Sequence, residues 1–380
     1  MKKYFYFGLF GLLLFEIANV YFIMPMPGSQ RMNSIDLAYF LYQWRWIFRI
    51  IFVLILLYGI FKSTWKRKWF PLALLLLIAV PVYIINFQMA ADHMFYQPKE
   101  LLMNTAATNK VDSQRLVIGV VINNEAKAYP IRMIGYHHLV PDTVGGKPLL
   151  ITYCTVCRTG RVYEPIVKGK HENFRLVGMD HFNAMMEDGT TKSWWRQATG
   201  EAIKGELKGE RLPEVLSTQT SLAKWLTLYP GSRIMQEDPN YKDLYDTTLK
   251  YESGASRNKL TGTDSLPWQD KSWVVGIETG GQSKAYDWIM LKSKRVIEDN
   301  IAGKNIALVL ADDNKSFFAF EKPTGSSAFT VTNDTLSFNG QQYTINGTAI
   351  NGTANLKRVA AYQEFWHSWK TFHPATLSYK

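Results

Sequence analysis

Cysteine is nearly absent from this sequence: of 380 residues, only Cys154 and Cys157 are cysteines. Any thiol, disulfide or thiolate–metal chemistry is therefore confined to one short stretch. There is no phosphate loop, no Gly-x-Ser-x-Gly and no His-Glu-x-x-His, which sets aside the nucleotide, serine-hydrolase and zinc-protease chemistries that use those motifs. A clustered basic face is also missing, despite a net charge of +11. Residues 1–90 hold nine basic residues (Lys2, Lys3, Arg31, Arg45, Arg49, Lys62, Lys66, Arg67, Lys68) against Glu16 and Asp36. The basic balance thus belongs mainly to the apolar N-terminal part, and no nucleic-acid partner is expected.

Long apolar runs are what that part does contain. Residues 4–24 are almost wholly apolar apart from Glu16 and Asn19, and about 20 such residues span a bilayer. No small-residue cleavage site precedes Met24-Pro-Met-Pro-Gly28, so the run reads as an anchor rather than a removed leader. A second run, 37–61, carries Arg45 and Arg49 near one end among Tyr42, Trp44 and Trp46. Basic side chains reach the interface by snorkelling, and aromatics favour that depth. The third run is 69–89. Lys2 and Lys3 precede the first run, and Lys62, Lys66, Arg67 and Lys68 separate the second from the third. Cytoplasmic loops carry excess Lys and Arg. If all three runs span, the rest of the chain lies on the periplasmic or extracellular side of an inner (plasma) membrane, and the lipid bilayer is a partner.

Beyond residue 90 the sequence repeats itself. Gly119-Val-Val-Ile-Asn-Asn-Glu-Ala-Lys-Ala-Tyr129 resembles Gly276-Ile-Glu-Thr-Gly-Gly-Gln-Ser-Lys-Ala-Tyr286, an offset of 157. The same offset pairs Asp142 with Asp299, Gly146 with Gly303, Lys147 with Lys304 and Glu164 with Glu321. After a shift, Thr199–Gly205 resembles Asn346–Gly352, and Trp225–Pro230 resembles Trp369–Pro374. Three similar segments in one order predict a tandem duplication. Each copy reads as a β-branched hairpin, a short helix (131–139 in the first), further strands, and a closing helix at 221–229 and 360–372. The expected fold is α+β and strand-dominated, an internally duplicated soluble domain with a pseudo-twofold axis behind a three-helix transmembrane bundle. The expected divisions are 1–90 transmembrane, 91–111 linker, 112–236 first copy, 237–269 connector and 270–380 second copy.

The copies differ in chemistry. Cys154 and Cys157 map onto Ala311 and Asn314, and His137 and His138 onto Lys294 and Arg295, so special chemistry is expected only in the first copy. In Tyr153-Cys-Thr-Val-Cys-Arg-Thr-Gly160 a strand-like Arg161-Val-Tyr163 follows the pair. That predicts a tight hairpin rather than a helix opening on the cysteines, unlike a thioredoxin-type site. Arg158 stands where c-type haem attachment needs His. A metal knuckle remains, in which two thiolates on one turn grip a soft ion. His137, His138 and His181 are the candidate further ligands, with Met179, Met185 and Met186 nearby in sequence. Such donors suit copper, with zinc second. A structural disulfide and a redox-active thiol pair are the alternatives. Tyr153, Arg158, Trp194, Trp195 and Arg196 are candidate pocket-lining residues, with core packing the competing role for the tryptophans. No substrate or protein partner is specified.

The segments Ala128-Tyr-Pro, Asp142-Thr-Val-Gly-Gly-Lys-Pro148, Thr152-Tyr-Cys-Thr-Val-Cys157 and Ser193-Trp-Trp-Arg-Gln-Ala-Thr-Gly-Glu-Ala-Ile203 resemble a bacterial family of unknown function, number 3179. The resemblance covers most of 112–236 and, more loosely, the second copy. It implies a His at the position of His137, the Asp-Thr-Val-Gly-Gly turn and both cysteines. Thr155 and Arg158 replace the family's usual Pro and Gly, and His181 is a departure from it. The family carries no established activity, so the resemblance implies a fold and a site and leaves the reaction open.

Overall fold

The computed structural model describes every residue except 254–259, 261, 326 and 352–353. Part of the expected connector 237–269 and the end of the Asn346–Gly352 match therefore lie outside the described residues. The described chain is α+β and strand-rich, with apolar helices at its N-terminal end. It divides into two compact units: Met1–Tyr96 with Phe174–Arg196 and Ala202–Gly209, and Gln97–Asn173 with Gln197–Glu201 and Glu210–Lys380. Compactness thus cuts across the sequence segment 112–236, because Phe174–Arg196 packs with the N-terminal helices.

In the first unit, Lys2–Tyr21 and Trp69–Gln88 are helices long and apolar enough to cross a membrane. Ile35–Gln43 and Arg45–Phe61 meet that test only as a pair, bent by 61° at Trp44. Small residues let two of these helices touch at the backbone. A Cβ on Gly59 would lie 2.1 Å from the Phe5 nitrogen. Farther along, Phe15 stacks on Phe48 at 5.0 Å. Four antiparallel strands belong to the same unit, in the order Ala202–Lys204, Trp194–Arg196, Asn183–Asp188, Phe174–Asp180. Trp194 lies buried in a cluster with Val20, Ile23, Ala38 and Val177.

The second unit shows one order of elements twice. Leu116–Ile122 and Glu125–Pro130 form a hairpin, Ile131–His137 is a helix, and Leu139–Val144, Lys147–Cys154 and Thr159–Tyr163 form a three-stranded meander. Trp273–Thr279, Gln282–Asp287, Trp288–Lys294, Val296–Ile301, Lys304–Leu310 and Phe317–Glu321 follow the same plan. Each hairpin gains an antiparallel strand on one side, Ser217–Ser221 or Ala361–Phe365, and a parallel one on the other, Arg233–Met235 or Leu377–Ser378. The residues alike in sequence do the same work. Tyr129 donates to Asp142 at 2.6 Å and Tyr286 to Asp299 at 2.9 Å. Trp225 closes over Gly119 and Trp369 over Gly276, where a Cβ would meet the indole at 2.1 and 2.2 Å. The closing helices are shorter than expected, Leu222–Leu228 and Trp366–Phe372. Residues 361–365 are strand, because their backbone pairs with Trp273–Ile277.

Candidate functional site around Cys154 and Cys157

Strand Lys147–Cys154 is buried from Leu149 onward. It turns through Thr155-Val-Cys-Arg158 into Thr159–Tyr163, with Cys154 paired to Thr159. The expected hairpin is therefore present. Arg158 holds φ at 57°, a left-handed conformation that costs an ordinary residue about 1–2 kcal/mol. The guanidinium offsets that cost. It donates to the carbonyls of Tyr251 (2.8 Å) and Glu252 (2.6 Å) and to Gln363 Oε1 (2.6 Å). It also stacks on Trp273 at 3.8 Å. Arg158 is thus a buried clamp on the turn rather than an open lining residue. Tyr153 is equally buried, and burial pushes its hydroxyl up to about 12.

Neither Cys154 nor Cys157 is in a disulfide, and both are fully buried. The Cys157 thiol is pushed well up, first by burial and next by its hydrogen bond to Cys154. Contacts from Ser368 and the Lys271 ammonium oppose that rise. The raised Cys157 thiol favours its protonated form, which suppresses nucleophilic attack and metal ligation through that sulfur until the proton leaves.

Much of what surrounds the pair comes from the far end of the chain. Phe365 N donates to Cys157 O at 2.9 Å, and Lys271 Nζ to Val156 O at 2.8 Å. His367 is bonded to the Val156 backbone, and burial lowers it to about 4. Ser368 joins Cys157 to Glu364, to which it donates at 2.6 Å. Glu364 also accepts from Thr159 (3.1 Å) and from Arg161 Nη2 (2.7 Å). Arg161 then reaches Glu214 at 3.4 Å and stacks on Tyr362 at 3.6 Å. A continuous polar chain therefore runs from Cys154 to Arg161. Arg161 and Glu214 line a cleft of about 420 Å³ with Glu278, Tyr362 and His373. None of Arg161, Glu214, Lys271, Glu364, His367 and Ser368 stands out in the sequence. His367 and Ser368 follow Trp366 on the closing helix, and only the fold brings them to the cysteines.

The predicted histidines are distributed differently. The helix Ile131–His137 does lie against the cysteine turn, where a Cβ on Gly135 would sit 3.0 Å from the Thr155 methyl. His138 ends that helix at φ 60°, and its carbonyl accepts from Tyr153 N at 3.0 Å. Its Nδ1 faces Tyr136 O at 3.0 Å, and burial brings its pKa to about 4. His137 Nε2 bonds the Tyr245 hydroxyl at 2.7 Å. His181 belongs to the other unit, between Asp180 (2.6 Å) and Asn33 (3.0 Å). Trp194, Trp195 and Arg196 belong there too. The two indoles are buried and donate to Glu187 and Asp188, and Arg196 pairs with Asp180. Among the described residues, no three His, Cys, Asp or Glu side chains converge as a metal site would require.

The family described as a protein of unknown function, DUF3179, matches residues 99–376. The chain belongs to that family, and the match takes in the whole cysteine turn and everything packed on it within the second unit. No curated protein and no solved structure matches the chain.

Proposed function

We propose that this is a membrane-anchored, extracytoplasmic thiol protein in which Cys154 and Cys157 cycle between dithiol and disulfide. The carrying observation is that two thiols not joined in a disulfide sit in one buried hairpin turn, with Lys271 on the Val156 carbonyl and Ser368 on Thr159 beside them. At the corresponding turn Ala311 and Asn314 stand instead, so a hairpin of this kind forms without thiols. Exchange with a disulfide of the class R–S–S–R forms the Cys154–Cys157 bond and releases two R–SH, each taking one proton from the cysteines. The Ser368–Glu364 contact gives the Cys157 proton a route toward the cleft. Because the pair is buried, exchange requires local opening of the turn.

A second reading keeps the same cysteines as a copper or zinc site completed by His137 or His138. The packing of the histidine-bearing helix on the turn supports it. A third makes the pair a structural disulfide in a ligand- or partner-binding module. Free-thiol counts and metal analysis on the purified protein separate the three. The proposal expects two thiols that glutathione disulfide converts reversibly to one bond, without bound metal. Stoichiometric copper or zinc on reduced cysteines would favour the second reading, and a disulfide resistant to reduction the third. Cys154→Ser or Cys157→Ser should abolish exchange, while Ala311→Ser leaves it unchanged.

The location is part of the proposal. The Lys/Arg clusters flanking the apolar runs support a three-span anchor with the family domain outside, and protease added to spheroplasts should cleave it. Protection alongside a digested periplasmic control would overturn that placement. The recurring element order and the constant offset of 157 support descent of the two halves by tandem duplication.

A further inference from the structure

The helical unit contains a cavity of about 610 Å³ walled by Lys2–Tyr21, Arg45–Phe61, Trp69–Gln88 and the strand Phe174–Asp180. Ionisable groups set among apolar helices are costly and tend to serve a ligand or a partner. Two of the arginines on this wall are already held by carboxylates. Arg49 donates to Glu16 at 2.7 and 2.9 Å, and Asn86 adds a third donor at 2.9 Å. Arg175 pairs with Asp92 at 2.8 Å and with Glu187 at 2.6 Å. Arg45 is different. It donates to Tyr42 O at 2.5 Å and stacks on the Tyr42 ring at 3.9 Å, and it meets no carboxylate among the described residues. On the same wall Asn19 is 5% exposed, and its Oδ1 has no hydrogen-bond partner. Burying such a group unpaired is costly, and a ligand that pairs it removes that cost. Leu12, Val20, Val53 and Val82 supply apolar surface to the same cavity.

We propose that this cavity holds the headgroup of an anionic, hydroxylated phospholipid, with its phosphate on Arg45 and its acyl chains along the apolar wall. The Asn19 amide is suited to both halves of such a headgroup. Its N–H donates to the phosphate, and its Oδ1 accepts from a headgroup hydroxyl. The three guanidiniums here (Arg45, Arg49, Arg175) stand against three carboxylates (Glu16, Asp92, Glu187), and all three carboxylates are held by Arg49 or Arg175. A phosphate therefore meets the guanidinium of Arg45, which touches none of them, whereas a headgroup ammonium would meet no carboxylate that an arginine does not already hold. The apolar lining separates a lipid from free phosphate. This inference rests on reading the apolar helices as membrane spans.

The test uses the full chain, purified in detergent and stripped of lipid. Binding of dioleoyl-phosphatidylglycerol, dioleoyl-phosphatidylcholine and inorganic phosphate is followed by thermal shift and native mass spectrometry. Phosphatidylglycerol should bind at least about tenfold more tightly than phosphatidylcholine, and Arg45→Gln should remove that preference, since a charge-assisted hydrogen bond is worth about 1.5–3 kcal/mol. Asn19→Leu, of similar volume, should weaken phosphatidylglycerol binding without lowering the melting temperature of the lipid-free protein. Equal binding of the two lipids, or no effect of either variant, would overturn the proposal. An equal shift from inorganic phosphate alone would make this an anion site and overturn the lipid assignment. Alkaline carbonate extraction of native membranes tests the underlying reading separately. A chain released by carbonate is not membrane-spanning, whereas a retained chain without lipid preference refutes only the headgroup site.

Discussion

The two halves of the second unit build one hairpin turn with opposite materials. Cys154–Thr159 is dry: both thiols are buried, and Arg158 and Arg161 point their guanidiniums inward onto Gln363 and Glu364. Ala311–Ser316 is wet at its tip. Arg295 reaches outward to Asp312 and Asn314 at 2.7 Å each, and Asp313 accepts from the nitrogens of Lys315 and Ser316. The left-handed residue is Arg158 in one turn and Asn314 in the other. Asn adopts that conformation more readily than Arg. Position 161 is an arginine where the second half has the core residue Phe318. Backbone geometry alone therefore asks for neither thiols nor buried guanidiniums, and the first half carries them at a cost the second avoids.

The sharpest way to break this comparison is at Arg161. Arg161→Ala leaves Glu364 buried and uncompensated, and removing one partner of a buried pair costs about 3–5 kcal/mol. Replacing both, as Arg161→Leu with Glu364→Leu, should recover much of that loss in urea unfolding. If the single variant loses under about 1 kcal/mol, the buried network does not hold the cysteine turn. Next in size is Arg158→Gly. Glycine removes the left-handed cost, about 1–2 kcal/mol, but forfeits three hydrogen bonds and the Trp273 stack. A net loss of about 2 kcal/mol is expected, against a change within about 0.5 kcal/mol for Asn314→Gly. Equal effects at the two positions would mean that Arg158 is not a clamp.

The strand-rich α+β character and the paired tyrosine–aspartate contacts were legible in the sequence, because equal spacing preserves equal contacts. Tyr129 with Asp142 and Tyr286 with Asp299 lie on adjacent strands within each half, so a constant offset carries them together. The apolar runs likewise mark the helices, since their composition is set by length alone. The surroundings of the cysteines were not legible. Lys271, Glu364, His367 and Ser368 come from more than a hundred residues away, and an isolated histidine such as His367 carries no local pattern. The bend at Trp44 was also missed, since hydropathy is continuous across it. So was the placement of Phe174–Arg196, whose alternation marks strands without saying what they pack on.

The smallest predicted effects separate the turns by pH, in opposite directions. Asp313 is partly buried, which works against its ionisation, but hydrogen bonds from Ser316 and Ser221 hold its carboxyl below the usual 3.8. A carboxyl with a depressed folded value stabilises the native state above 3.8, and that stabilisation fades as pH falls through the folded value. Cys157 has the reverse sign. Its thiol is raised above 9.0 by burial, so its contribution is complete below 9.0 and is lost as pH rises, because the unfolded chain ionises first. Stability should therefore decline at the acid end through the Asp313 turn and at the alkaline end through the Cys157 turn, by up to about 1.4 kcal/mol per pH unit for each group. Urea unfolding of Asp313→Asn should show a deficit of about 1 kcal/mol at pH 7 that shrinks below pH 4. Cys157→Ala should show a deficit at pH 7 that narrows above pH 9. If the Cys157→Ala deficit is constant from pH 7 to pH 10.5, the thiol ionises as readily in the folded protein as in the unfolded chain. The dry character assigned to the first turn would then be wrong.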